Sequence, residues 1–271
     1  MPFPTLDLTA KTLRGAVVEM SHRAGAPHLA SSLSCIDILT VLYWKILRLD
    51  PKKPQDPDRD RFILSKGHAA AALYAALAHR GFYPAEDLKK YVVNESRFPE
   101  HPPAVGLPGV EAATGSLGHG LPMGLGMALA ARILKKKYRV FVLLSDGECN
   151  EGSNWEAAMF AAGQKLSNVC VLVDYNKWQA TGRSRDILAI HPLDKKWEAC
   201  GWSTLEIDGH DHSGLTEVLS ALPREDGKPT AIIAHTIKGK GISFMEDDNN
   251  WHYKIPSVAE VAAAKKELGL I

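Results

Sequence analysis

Asp146 and Asn176 are the two residues whose types and placement best suit metal chemistry. Asp146 and Gly147 follow the apolar stretch RVFVLLS, and Asn176 ends VCVLVDYN. A carboxylate oxygen and an amide oxygen are both hard donors. Magnesium takes one or two carboxylates, supplemented by neutral oxygens and phosphates. Gly147, with no side chain, lets backbone come close to a phosphate. The two donors stand thirty residues apart, about one strand–helix–strand unit. Alone, Asp146-Gly147 reads better as a plain turn and Asn176 as a cap. Together, at the ends of two adjacent strands, they favour an ion and a phosphate. A nucleotide loop is disfavoured, because no GxGxxG follows the strand.

Histidines are the second group. Several of the eleven, His28, His68, His101 and His252 among them, lie near Gly or Pro. Imidazole can donate to hydroxyls and carbonyls and can shuttle protons near neutral pH, which suits sugar chemistry. Each one by itself reads more readily as a loop hydrogen-bonder than as a catalyst. Glu151 reads, from the residue alone, as an acid favoured by a helix N-terminus. Cys35, Cys149, Cys170 and Cys200 form no CxxC pair and no disulfide framework. Cys149 receives no catalytic role.

The elements that must position these groups are legible from periodicity. RVFVLL, VCVLVDYN and TAIIAHTI are continuous Val/Ile/Leu runs, as in parallel strands covered on both faces, and TLEID adds a further strand. Helices are expected over Thr9 to Ala24, over SLSCIDILTVLYWKI with Leu33, Ile36, Leu39 and Tyr43 on one face, and over His68 to Arg80. Another is expected from Ser153 to Lys165, where Ser153 and Glu156 have capping-box spacing. A short one follows near Gly214 to Leu222. Pro99, Pro102, Pro103 and Pro108 mark a long irregular segment. Strands alternating with helices predict an α/β fold, a doubly wound and mainly parallel sheet flanked by helices, in which ligands bind beyond the carboxyl ends of the strands. No linker divides the chain, so residues 1–271 are expected to form one domain. The composition, 45% hydrophobic and 23% charged, is that of a globular protein. A net charge of +1 gives no pull toward nucleic acid or an anionic membrane. The N-terminus does not read as a signal peptide, and no apolar run approaches a membrane span. A cytoplasmic location is expected.

Asp-Gly, an intervening helix, and Asn after a buried strand together resemble the thiamine diphosphate signature, and further segments resemble transketolases over nearly the whole chain. GAPHLASSLSCIDIL, SKGHAAAALYAAL, FPEHP and NNWHYKIP each look like a histidine segment of that family, while GVEAATGSLGHGLPMGLGMALA looks like its Gly-rich loop and helix. IDGHD and HTIKGKG match further segments. The resemblance implies a magnesium ion bound by Asp146, Asn176 and the backbone carbonyl of Trp178. It implies thiamine diphosphate approached by Gly115, Ser116, Leu117 and Gly118, with Gly147, Glu151 and Lys238 also at the cofactor. His28, His68, His101 and His252 are implied as the catalytic histidines that handle sugar, while His119, His210 and Lys238 are weaker candidates. Glu151 matches the family's interface glutamate. This sequence departs from the family at Ser145, where Gly is usual, at His119, where Gln is common, and at Thr181, where Asp is usual. It also has an indole at Trp178.

The family's pyrimidine-activating glutamate belongs to a second domain. SVAEVAAAKKELGLI, ending at Ile271, reads as one amphipathic helix and not as that domain. The resemblance is therefore to the N-terminal subunit of a split transketolase. It implies a partner chain supplying the pyrimidine domain and its glutamate, two copies of each chain in a heterotetramer, and sugar or sugar-phosphate substrates. The implied reaction moves a two-carbon ketol unit from a ketose to an aldose. Alternatives are a decarboxylating thiamine enzyme component, similar to deoxyxylulose-phosphate synthase or a 2-oxoacid dehydrogenase component, and a non-catalytic cofactor-binding remnant.

Overall fold

The computed structural model describes residues 5–224 and 226–271. Residues 1–4, the start of the N-terminus that does not read as a signal peptide, lie outside it. Five strands, β1 (Arg61–Leu64), β2 (Val140–Ser145), β3 (Val169–Tyr175), β4 (Ser203–Asp208) and β5 (Thr230–His235), form one sheet in the order β1-β2-β3-β5-β4. Every neighbouring pair is parallel. The helices are α1 (Leu6–Ala24), α2 (Leu29–Ser34), α3 (Ile36–Val41), α4 (Ala70–Arg80), α5 (Gly120–Ile133), α6 (Gly152–Gly163), α7 (Ser184–Ile187), α8 (Leu193–Ala199), α9 (His212–Ser220) and α10 (Val258–Glu267).

The uninterrupted apolar runs follow from burial on both faces. Phe141, Leu143, Cys170, Leu172, Ile232 and Ala234 pack with α1 to α4 and α9, while their alternate neighbours Val140, Val142, Val171, Val173 and Ile233 pack with residues of α5, α6 and α8. Each such aliphatic side chain contributes about 1.5–3 kcal/mol on full burial. β4, at the edge, is only half covered and has no fully buried position.

Three expectations need correction. SLSCIDILTVLYWKI is not one amphipathic helix. It breaks at Cys35 (φ −99°, ψ 5°) and ends in a π-type turn over Leu42–Ile46. Its residues from Ser32 to Val41 are buried all round, so the 3.6-residue stripe understated how deep it lies. α6 begins at Gly152, and Ser153 lies in its first turn instead of capping it. The Ser153 hydroxyl donates to the Gly118 carbonyl (2.8 Å), a tertiary bond that takes precedence over the local box. The segment from His68 opens with a 3₁₀ turn (Gly67–Ala69) before α4 starts. α1 and α4 end as glycine allows, at Gly25 (φ 59°) and Gly81 (φ 103°). No helix of the described residues is long and apolar enough to cross a membrane.

Candidate functional site

The carboxyl ends of β2 and β3 bring Asp146 and Asn176 to the same edge. Ser145 pairs with Asp174 in register, and the Asp146 N–H donates to the Asp174 carbonyl (3.3 Å). Asp146 is fully buried. Its Oδ2 accepts from the Ser184 hydroxyl (2.7 Å), and its Oδ1 has no partner. Burial pushes this carboxyl up to about 7, the charge of Asp174 adds to that, and the Ser184 bond opposes it. Asn176 Oδ1 accepts from the Trp178 N–H (3.1 Å), so Asn176 and the Trp178 backbone are held together. Among the described residues no three His, Cys, Asp or Glu side chains gather as metal ligands.

This donor set fits a hard divalent cation completed by phosphate oxygens. A buried carboxylate oxygen without a partner is costly as it stands, and with the Asn176 amide and the Trp178 backbone carried at the end of the adjacent strand it is of the donor type magnesium uses. A cation would also draw the Asp146 carboxyl back to its ionised form. The Gln179 side chain lies where a Gly147 side chain would stand, since a Cβ there would be 2.8 Å from Gln179 Cγ. Gly147 is therefore required by the close pass of Gln179. Gln179 Nε2 is a second buried polar atom with no partner, a donor suited to an anion.

The Gly-rich loop sits against the SKGH segment backbone to backbone. A Cβ on Gly67 would be 2.6 Å from the Gly115 nitrogen, and one on Gly120 would be 2.3 Å from Ser65 Oγ. Gly115 (φ 138°) leaves room for the His101 ring, 2.8 Å from a would-be Cβ, and Gly118 (φ 85°) does the same for Ser153 and Glu151. Ser116 is exposed and Leu117 half-buried in this loop. Glu151 is exposed at the N-cap of α6 beside Gly118, and its side chain caps nothing. Sequence reasoning missed Glu148, which is fully buried. It accepts from Ser65 Oγ (2.5 Å) and from the Gly118 N–H (2.9 Å), and burial pushes it up to about 7. One signal was available, a second acid two residues past Asp146 in a tightly packed turn.

All four predicted histidines converge. The His28 ring lies 5.5 Å from His68, 6.0 Å from His101 and 5.0 Å from His252, centroid to centroid. His68 and His252 are 6.0 Å apart. His28 holds left-handed backbone (φ 67°) at the start of α2, and its N–H donates to the His252 carbonyl (2.7 Å). Glu100 Oε1 comes within 3.1 Å of His28 Nδ1 but is not aligned for a hydrogen bond. Tyr74 anchors the backbone of the third member by donating to the His101 carbonyl (3.0 Å).

Lys238, a weaker candidate from sequence, lies against the histidine cluster. It is buried, and its ammonium contacts Asn249 Oδ1 (2.6 Å) and His252 Nδ1 (3.0 Å). Burial and then the charge of Lys66 bring it down to about 8. Burial and the Lys238 charge push His252 down to about 3, so the ring is neutral. Its Nδ1 accepts from Lys238, and its proton sits on Nε2. Burial also lowers His68 and His28.

Beneath the histidines lies an ion pair that periodicity did not reveal as functional. Lys66 and Asp174 are both fully buried and in direct contact. Lys66 also donates to the Ser31 carbonyl (2.8 Å), and Asp174 accepts from Ser34 (2.6 Å) and Thr236. Burial favours the neutral form of each, but the partner's charge prevails, holding Asp174 low and Lys66 high. The available signal was a charge inside the apolar strand VCVLVDY, which must find a partner.

Two weaker candidates lie elsewhere. His119 is exposed ahead of α5. His210 donates from Nδ1 to Asp37 (2.7 Å) and accepts at Nε2 from the Ile237 N–H (2.9 Å), so both ring nitrogens are spent on structure.

Residues 6–271 match the family model described as transketolase, thiamine diphosphate binding domain. An apulose-4-phosphate transketolase subunit of Actinobacillus succinogenes is 43% identical over 269 residues, 99% of this chain and 97% of the relative. A 6-deoxy-6-sulfo-D-fructose transketolase subunit of a Clostridium species is 40% identical over 241 residues, 89% and 88% of the two chains. The solved transketolase of Campylobacter jejuni superposes with a TM-score of 0.92 at 32% identity, over 99% of this chain and 43% of that one. The chain thus spans nearly all of a subunit-type relative but under half of that solved enzyme. With its all-parallel sheet and its signature residues at adjacent strand ends, the chain belongs to the transketolase family of transferases, as a thiamine diphosphate-binding-domain subunit.

Proposed function

We propose that residues 1–271 act as one domain, the diphosphate-binding subunit of a magnesium- and thiamine diphosphate-dependent transketolase. In this reading the enzyme moves a two-carbon ketol unit from a ketose or ketose phosphate to an aldose and works in the cytoplasm. A second chain completes it by supplying the pyrimidine domain and its glutamate, with two copies of each chain. The relatives named as subunits support a partner, and the names of two of them support sugar substrates of this class.

The observation that carries this reading is the buried Asp146 carboxylate with one oxygen unpartnered, on the same sheet edge as four converging histidines. Asp146, Asn176 and the Trp178 carbonyl hold the magnesium, and Gly115 to Gly118, Gly147, Glu151 and Lys238 surround the cofactor. When bound, thiamine diphosphate would supply the nucleophilic carbon chemistry that ketol transfer requires. The chain's own residues do the rest. His28, His68, His101 and His252 donate to sugar hydroxyls and carbonyls, with neutral His252 donating from Nε2. Lys66 and Asp174 hold Ser31, Ser34 and Thr236 rigid behind them.

The test is calorimetric titration with thiamine diphosphate, with and without magnesium. Binding is expected only with magnesium, to be abolished in Asp146→Ala and weakened less in Asn176→Ala, which removes a neutral ligand. Equal affinity of wild type and Asp146→Ala would sink the metal assignment.

A further inference from the structure

The segment between Asn176 and α7 is a tight hairpin. Trp178 pairs with Arg183 as an antiparallel bridge. The Gln179 N–H donates to the Gly182 carbonyl (2.9 Å), and the Ser184 N–H donates to the Lys177 carbonyl (3.1 Å). Three groups of this hairpin meet the Asp146 site: the Trp178 backbone, the Ser184 hydroxyl and the Gln179 side chain. What keeps the hairpin in place is a residue from a distant loop. Asp247 accepts from the Trp178 indole N–H (2.7 Å) and takes both arms of the Arg183 guanidinium (2.7 and 2.6 Å). That guanidinium in turn lies 3.7 Å over the Trp178 ring. Both ends of the arrangement hold left-handed backbone, Lys177 at φ 72° and Asp247 at φ 58°. Non-glycine residues keep that conformation only when their surroundings enforce it.

We propose that Trp178, Arg183 and Asp247 form a clasp whose role is to position the magnesium-facing hairpin. The three act as positioning residues, because their side chains reach the ion only through the Trp178 carbonyl and Ser184. This inference rests on the reading of Asp146 as a magnesium site. Magnitudes separate positioning from stability. Side-chain exposure of 31% for Arg183 and 53% for Asp247 makes the ion pair a small contributor to folding. A bidentate guanidinium stacked on an indole is by contrast strict in geometry. The clasp also ties the metal end to the histidine end. The Asp247 N–H donates to the Lys238 carbonyl (2.8 Å). Asn249, two residues on, bridges the Ala180 carbonyl (3.0 Å) and the Lys238 ammonium.

The experiment compares wild type with Asp247→Ala, Arg183→Ala, Arg183→Lys and Trp178→Phe. Arg185→Ala, an exposed neighbour outside the clasp, serves as the control. Hydrogen exchange of the Gln179 and Ser184 amides is read without cofactor. The magnesium concentration for half-maximal thiamine diphosphate binding is read by calorimetry, with a thermal midpoint for each variant. Both alanine variants should exchange these two amides faster and need about 10–100-fold more magnesium, the usual effect of losing a group that orients a ligand. Arg183→Lys should recover little, since lysine lacks the fork. Trp178→Phe, which keeps the carbonyl but loses the indole donor, should fall between. Thermal midpoints and the control should stay near wild type. Unchanged amide exchange, or an unchanged magnesium requirement while wild type binds normally, overturns the clasp alone. Faster exchange across the whole sheet with a fallen midpoint would make it a structural contact and also overturns it. Absence of magnesium-dependent binding in wild type overturns the site reading instead.

Discussion

His28 is the hub of the histidine cluster at the residue scale, near three other imidazoles and held in left-handed backbone. Such local strain persists where packing over-determines it, and functional sites are where it collects. Alanine variants of His28, His68, His101 and His252 are expected to keep magnesium-dependent cofactor binding. Their turnover should fall by about 10²–10⁴-fold, the range for lost proton-transfer help. Steady-state kinetics on the completed enzyme checks this, and unchanged rates in all four variants would reduce them to loop histidines. The four histidine segments were legible only through their likeness to separate family motifs, since each imidazole by itself reads as a loop hydrogen-bonder. Glu148, Lys66 and Asp174 were not singled out, because their roles depend on partners 30, 108 or more residues away. Ser153 shows the same limit, with a local spacing that fits a cap and a hydroxyl used by a distant loop.

At the scale of elements, Asp37 on α3 joins four parts of the fold. It accepts from Arg14 on α1 (2.5 Å to Oδ2), from His210 (2.7 Å) and from His212 on α9 (2.8 Å), while Arg14 reaches the Lys240 carbonyl (2.9 Å). Burial alone would raise the Asp37 carboxyl, but bonds from His210, His212 and Arg14 outweigh it and hold it well below the usual range. A carboxyl depressed in the folded state stabilises the fold above its unfolded value, about 3.9, and that stability is lost as pH falls below it. Asp37→Asn is expected to cost about 3–5 kcal/mol at pH 7, as for one removed partner of a buried pair. The gap from wild type should hold between pH 7 and 5 and narrow below about pH 4. Denaturant titrations at pH 7, 5 and 3 measure it, and a gap independent of pH would remove the ionic account. The strands were legible because continuous Val/Ile/Leu runs follow from two covered faces. The break at Cys35 was not, because every residue around it is buried and the stripe loses its contrast.

The whole molecule leaves apolar surface on α5, which follows the Gly-rich loop, and on α6 beside it. Ile133 and Leu134 at the end of α5 are 70% and 64% exposed, and Met159 and Phe160 on α6 are 58% and 47%. Exposed apolar groups on neighbouring helices are characteristic of association surfaces. The proposed partner makes a direct prediction: the purified chain should show no ketol transfer, and activity should appear on mixing with the pyrimidine-domain chain. Assaying chain, partner and mixture with a ketose donor decides it, and full activity from partner-free chain would overturn the split-enzyme reading. By itself the sequence determined the parallel α/β sheet, the position of Asp146 and Asn176 at strand ends, and the four histidine segments. Those features are local, set by periodicity and by short motifs whose spacing survives in one dimension. Only the tertiary structure decided that the histidines share one cluster, that Lys238 and His252 touch, and that Asp247 clasps the hairpin of Trp178 and Arg183. Those contacts join residues 14 to 224 positions apart around the same sheet edge. Burial sets the charge states of Lys238 and His252, because desolvation is a property of the packed site.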